Sequence, residues 1–267
     1  MRVYGPRKTR RPGVDGGVSV NERWDVPSPT ASEAATVCSV PTVLLAVHFV
    51  VRPAVEAWPK LGYVRHPVAQ AVAANRVAPE SLVGVAGVWH GATRLTHALV
   101  HDPAVTAHAL VNAVLVAAGG GLLLTVLATL GWRRWFVHFY WELIVVGPVV
   151  GSYAFDLFGQ TAYGYGASTS AFAVFGALAV FGTVVLVEHR RLGRVAGGGA
   201  AALLACIGGA VGADIAAASP ATAVHQAGFG FGVLVGVVGV ALLWWRGEAV
   251  VAGVGAIRRS TASSEGP

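Results

Sequence analysis

The sequence predicts an all-α polytopic membrane protein with six transmembrane helices. Three observations carry this. The chain is 55% hydrophobic and only 12% charged, with a mean hydropathy of +0.63, which is the composition of a membrane protein. Its long apolar runs each come close to the roughly 20 residues that a helix needs to cross hydrocarbon. Its basic residues lie in the tails and in the loops between those runs. Helices follow because a helix satisfies every backbone N–H and C=O within its own segment, as lipid requires.

Residues 1–32 are polar and rich in Pro, Gly and Arg, and they read as a disordered basic tail on the cytoplasmic side. A six-span membrane domain is expected over residues 33–246. The first span, 34–51, contains Pro41 and His48, which neighbouring helices can accommodate. Residues 52–106 form a long first loop holding Trp58, Lys60, Trp89 and Arg94. It is too polar to span and aromatic enough to lie in the membrane interface. The second span, 106–130, places His108 and Asn112 one turn apart on one face.

The third span, 135–153, carries Glu142, a carboxyl expected to face the bundle or water. The fourth, 168–187, follows the glycine-rich stretch Y-G-Y-G-A-S-T. The fifth, 195–213, is almost wholly Gly, Ala and Leu, so close packing is expected of it. In the sixth, 223–245, Gly228, Gly232 and Gly236 recur every four residues, a stripe that lets two helix backbones approach. Gly176 offers a matching small surface on the fourth. Residues 247–267 read as a cytoplasmic tail.

A net charge of +6 raises nucleic acid as a partner, but the placement of the charges favours the cytoplasmic membrane face instead. Six spans put both termini on one side. With the termini inside, fourteen Lys and Arg lie inside and five outside, all five in the long first loop. The positive-inside rule therefore puts both termini in the cytoplasm of a cell whose plasma membrane holds the protein. Cys38 and Cys206 both lie in apolar runs and read as small core residues rather than a disulfide or metal pair. The basic start is followed by a polar stretch rather than by a short apolar region, so no secretory signal is expected.

Ser168 stands where the glycine-rich turn becomes helix. Two readings compete: a helix cap, since Ser is favoured there, and a nucleophile beside backbone donors at a helix start. Its company favours the second. His225 supplies a base that titrates near neutrality, and His108 and Asn112 supply donors for an oxyanion, with the Ser168 N–H. No Asp or Glu is an obvious third member, so the expected form is a Ser–His dyad. Phe172, one turn after Ser168, can stack on the histidine ring. The plainer alternatives are that Asn112 joins helices and that each histidine bonds a neighbour.

These residues occur as T-H-A-L-V-H at 96–101, H-A-L-V-N at 108–112, G-A-S-T at 166–169 and H-Q-A-G-F-G-F-G at 225–232. In order and spacing they resemble the motifs of the rhomboid intramembrane serine proteases, over about residues 34–245. The resemblance implies catalytic Ser168 and His225, an oxyanion site at His108 and Asn112, and supporting roles for Phe172, Gly166, Gly228 and Gly232. It implies single-span membrane proteins in a lipid bilayer as substrates, and no cofactor, metal or nucleic acid. Thr169 departs from the pattern, standing where the family has glycine; Asp102 and Pro103 mark a slight lengthening between His101 and His108.

Three rivals remain. One is an inactive rhomboid-like protein that binds membrane helices without cutting them. Another is a polytopic transporter using Glu142, Asp214 and the histidines, which predicts repeated halves that the sequence lacks. The third is a zinc protease at His97 and His101, which needs Glu where Ala98 stands.

Overall fold

The computed structural model describes residues 28–57, 62–64, 91–159 and 163–246. The basic tail, the C-terminal tail and most of the first loop, with Trp58, Lys60 and Trp89, lie outside the described residues. Six long helices make up the fold: α1 (Ala31–Ala57), α2 (Thr106–Thr129), α3 (Phe136–Phe158), α4 (Ser168–Val187), α5 (Arg194–Ala217) and α6 (Thr222–Trp245). A 3-10 turn, Arg133–Trp135, leads into α3, and a short helix, His189–Leu192, precedes α5. All six are long and apolar enough to cross a membrane, so the chain is an integral membrane protein.

Polar residues fix the ends of the helices. At the start of α1, the Glu33 N–H donates to Thr30 Oγ1 at 3.3 Å and the Thr30 N–H donates to Glu33 Oε2 at 2.7 Å, a reciprocal capping box. Arg133 Nε donates to the same carboxylate at 2.7 Å, joining this end of α1 to the α2–α3 turn. That turn closes at Gly131, whose φ of 78° is one that a side chain would resist. Beyond it Trp132 folds back into the core against Phe181 of α4.

α4 is the axis of the bundle. Ala171, Ala173, Val174, Ala177, Leu178 and Phe181 are fully buried along it. Its closest neighbour is α6, where the glycine stripe brings backbone onto backbone. A Cβ added at Gly232 would lie 1.8 Å from the Ala173 carbonyl oxygen, and one at Gly176 would lie 2.1 Å from that of Phe229. Both are far inside van der Waals contact, so only glycine permits this separation.

At the end of the bundle that holds Ser168, Tyr63–Val64 pairs antiparallel with Tyr163–Gly164. This two-residue ladder ties the first loop to the segment entering α4. Arg94 pairs with Asp156, donates to Ser152 Oγ at 2.8 Å and lies 3.9 Å over the Tyr153 ring. It fastens the stretch before α2 to the last turns of α3.

Three expectations change. α1 continues past 51 to Ala57, carrying Arg52 and Pro53 within the helix. α5 does not pack closely along its length. Ala196, Gly197, Ala200 and Ile207 are buried, whereas a Cβ at Gly198, Gly208, Gly209 or Gly212 would meet nothing within 4 Å. Small residues permit close approach but do not compel it. Cys38 and Cys206 are exposed rather than core, because the inward faces of their helices are set by Val40 and Leu44 and by Ala200 and Ile207. Of the two placements expected for Glu142, the bundle interior is ruled out, because its side chain is exposed. Phe136, Tyr140 and Leu143 fill the inward face of α3, and Glu142 lies only six residues from its start, about 9 Å at 1.5 Å per residue.

Candidate active site

The site forms where three helix ends meet. Ser168 is the first residue of α4. Ala167 occupies the cap position and makes no side-chain bond to the helix. Ser168 therefore does not cap; its Oγ lies 2.9 Å from His225 Nε2. His225 is in the first turn of α6, and its Nδ1 lies 2.7 Å from Asp214 Oδ1 in the last turn of α5. A carboxylate oxygen is an acceptor, so the tautomer that satisfies both contacts is the one with the ring proton on Nδ1. Nε2 of the neutral ring is then the acceptor and the Ser168 hydroxyl donates to it.

Asp214 is the third member absent from the expected pair. Its second oxygen accepts from Gln226 Nε2 at 3.2 Å, and its backbone carbonyl accepts from Thr222 Oγ1 at 3.1 Å. The reason it is hard to read from sequence is local. α5 runs to Ala217, four residues past the expected end at 213, and a short turn then leads into Thr222. That reversal lays the last turn of α5 beside the first of α6. The available signal is an acidic residue closing an apolar run eleven positions before the histidine.

Phe172, one turn into α4, stacks on the other side of the site. Its ring and that of His225 lie 4.5 Å apart at an interplanar angle of 8°. The imidazole is thus fixed by a ring face, a carboxylate and a hydroxyl together.

Before Ser168 the chain turns at Gly166, with φ of 102°. A Cβ there would lie 3.1 Å from Asn112 Nδ2 and 3.2 Å from His108 Cε1. This turn thus lies against both oxyanion candidates, and the Gly166 N–H donates to the His97 carbonyl at 3.1 Å. Asn112 is buried, and its Nδ2 donates to His101 Nε2 at 3.1 Å. His101 meets His108 and His48 edge to face, with centroids 5.7 and 6.1 Å apart. Burial, reinforced by His108 and His48, pushes the His101 pKa down to about 4. The ring therefore stays neutral near neutral pH and keeps accepting from Asn112. Burial also pushes His97 down to about 4, against the opposing effect of the Thr93 and Arg94 carbonyls.

A cavity of about 170 Å³ opens onto Ser168 and His225. α3 walls it with Gly151, Ser152 and Phe155, α6 with Val224, and His97 adds a polar edge. Thr169, which stands where the resembled motif has glycine, is buried and also lines this cavity. A Cβ at Gly151 would lie 2.5 Å from Thr169 Cγ2, and one at Gly228 would lie 2.6 Å from the Thr169 carbonyl oxygen. Glycines on two neighbouring helices therefore leave room for the extra bulk.

Ser168, His225, Phe172, Gly166, His108 and Asn112 thus converge on one end of the bundle, while Gly228 and Gly232 set the helix separation beneath them. Compared with descriptions of known protein families, with curated proteins and with solved structures, the chain matches none.

Proposed function

We propose that the protein is an intramembrane serine endopeptidase of the rhomboid type, residing in the plasma membrane with both termini cytoplasmic and cleaving single-span membrane proteins in or near their membrane segment. The observation that carries this reading is the 2.9 Å hydrogen bond from Ser168 Oγ to His225 Nε2, made between two membrane helices beside an open cavity. Hydroxyl and imidazole at that separation are a nucleophile and its base.

In this mechanism Ser168 Oγ attacks the scissile carbonyl carbon as His225 takes its proton. The oxyanion is held by the Ser168 N–H, which has no partner within its own helix, with Asn112 and His108 beside it. His225 returns the proton to the leaving amine, and water then cleaves the acyl-enzyme ester by the same steps in reverse order.

The test is cleavage of single-span reporters in liposomes. Ser168→Ala and His225→Ala are each expected to abolish turnover, because the two groups act as a unit. Asn112→Ala is expected to leave measurable activity, since loss of one oxyanion donor costs up to about 3–4 kcal/mol while others remain. Undiminished cleavage by folded Ser168→Ala protein overturns the reading.

A further inference from the structure

We infer that Asp214 makes this a three-residue site: it is the positioning residue that holds His225 in the tautomer able to accept the Ser168 proton, and it stabilises the imidazolium that forms. Its kinetic consequence rests on the endopeptidase reading above; its effect on the ring does not.

The geometry points one way. Asp214 and His225 meet at 2.7 Å, with side chains only 11% and 14% exposed. A hydrogen bond to an ionised acceptor is stronger than a neutral one, and stronger still where water is largely excluded. The carboxylate is itself held: Gln226 Nε2 occupies its other oxygen, and Thr222 Oγ1 binds the backbone of the same residue. Three contacts thus join the last turn of α5 to the first of α6, two of them orienting the carboxylate. Among the described residues, the other titratable group that acts electrostatically on His225 is His108 of α2, a second imidazole that offers no negative charge. Phe172 covers a ring face but cannot choose between the ring nitrogens. Among the described residues, Asp214 alone bonds Nδ1 and so makes that choice. With the proton on Nδ1, Nε2 presents its lone pair to Ser168; with the proton on Nε2, it could not act as base.

In the chemical step the Ser168 proton passes to Nε2, and the ring becomes positive between Asp214 and the developing oxyanion. Asp214 gains no proton; it neutralises the new charge and returns to the same state when Nε2 donates to the leaving amine.

The test has two arms on full-length protein in micelles. In the first, histidine labelled with ring ¹⁵N reports the His225 tautomer by NMR, assigned by its loss in His225→Ala. Wild type is expected as the Nδ1–H form. Asp214→Asn, whose amide can instead donate to Nδ1, is expected to shift the ring toward Nε2–H. A wild-type ring protonated on Nε2, or a tautomer unchanged by Asp214→Asn, overturns the inference. In the second, reporter cleavage by Asp214→Asn is expected to lose about 10²–10⁴-fold in kcat with KM little changed, and Asp214→Glu, which keeps the carboxylate, to recover part of that loss. Wild-type kcat in Asp214→Asn also overturns it. Should Asp214→Asn not fold, the wild-type tautomer and Asp214→Glu still decide. If wild type cleaves nothing, the endopeptidase reading falls while the NMR arm still reports on Asp214.

Discussion

Thr169 shows how one side chain can depart from a motif and be absorbed. Its methyl and hydroxyl occupy space that Gly151 of α3 and Gly228 of α6 leave open. The three positions therefore form one packing unit. Gly151→Ala is expected to destabilise the protein by about 1–3 kcal/mol, the usual cost of overpacking. Thr169→Ala removes both atoms nearest the new methyl, so the double variant should be more stable than the sum of the two single effects. Thermal unfolding of the four proteins in detergent measures this coupling; strict additivity would show that the contact does not matter. A signal for this partner is present in the sequence, since Gly147 and Gly151 stand four residues apart on α3, but the spacing alone does not say which helix the pair meets. Ser168, His225, Asn112 and His108 were legible, since each is a polar residue near the end of an apolar run. Asp214 satisfies the same description, yet its relation to His225 depends on where α5 stops, and a Gly- and Ala-rich helix has a poorly marked end.

Helices α4 and α6 make the closest backbone contact described, and the repeat at 228, 232 and 236 announced it because a four-residue glycine spacing has one structural use in lipid. Gly232→Leu cannot be accommodated by a side-chain rotation. Even its Cβ would overlap the Ala173 carbonyl, so the helices must separate. A loss of about 3 kcal/mol or more is expected, with reporter cleavage falling in step, because α4 and α6 also carry Ser168 and His225. Full retention of melting temperature and activity would contradict this. The same reasoning applied to composition alone misjudged α5. Gly198, Gly208, Gly209 and Gly212 open onto empty space, and its buried residues are confined to Ala196, Gly197, Ala200 and Ile207. A helix buries a face only where a neighbour presents one, and that information is tertiary.

For the molecule as a whole, the two ends of the bundle differ in chemistry. One end carries Ser168, His225, Asp214 and the clamp of Arg94 on Asp156. The other carries the Glu33–Arg133 pair and the basic residues after α4. The number and order of spans were legible because each run is long and apolar. Orientation in the membrane is a proposal from charge. With Cys38 and Cys206 replaced, a single thiol from Arg190→Cys is expected to resist an impermeant maleimide on intact cells and to react after permeabilisation. Labelling of intact cells would reverse the orientation.

The close packing of α4 on α6 also bears on biogenesis. Ser168 and His225 lie 57 residues apart, and α6 with its histidine leaves the ribosome after α4, since chains are made from the N-terminus onward. Until that helix enters the membrane, α4 has neither the glycine surface that buries it nor the imidazole that would activate its serine. On the endopeptidase reading proposed above, the nascent chain is therefore inert until α6 is made, and the joining of α6 to α4 is the event that creates the reactive pair.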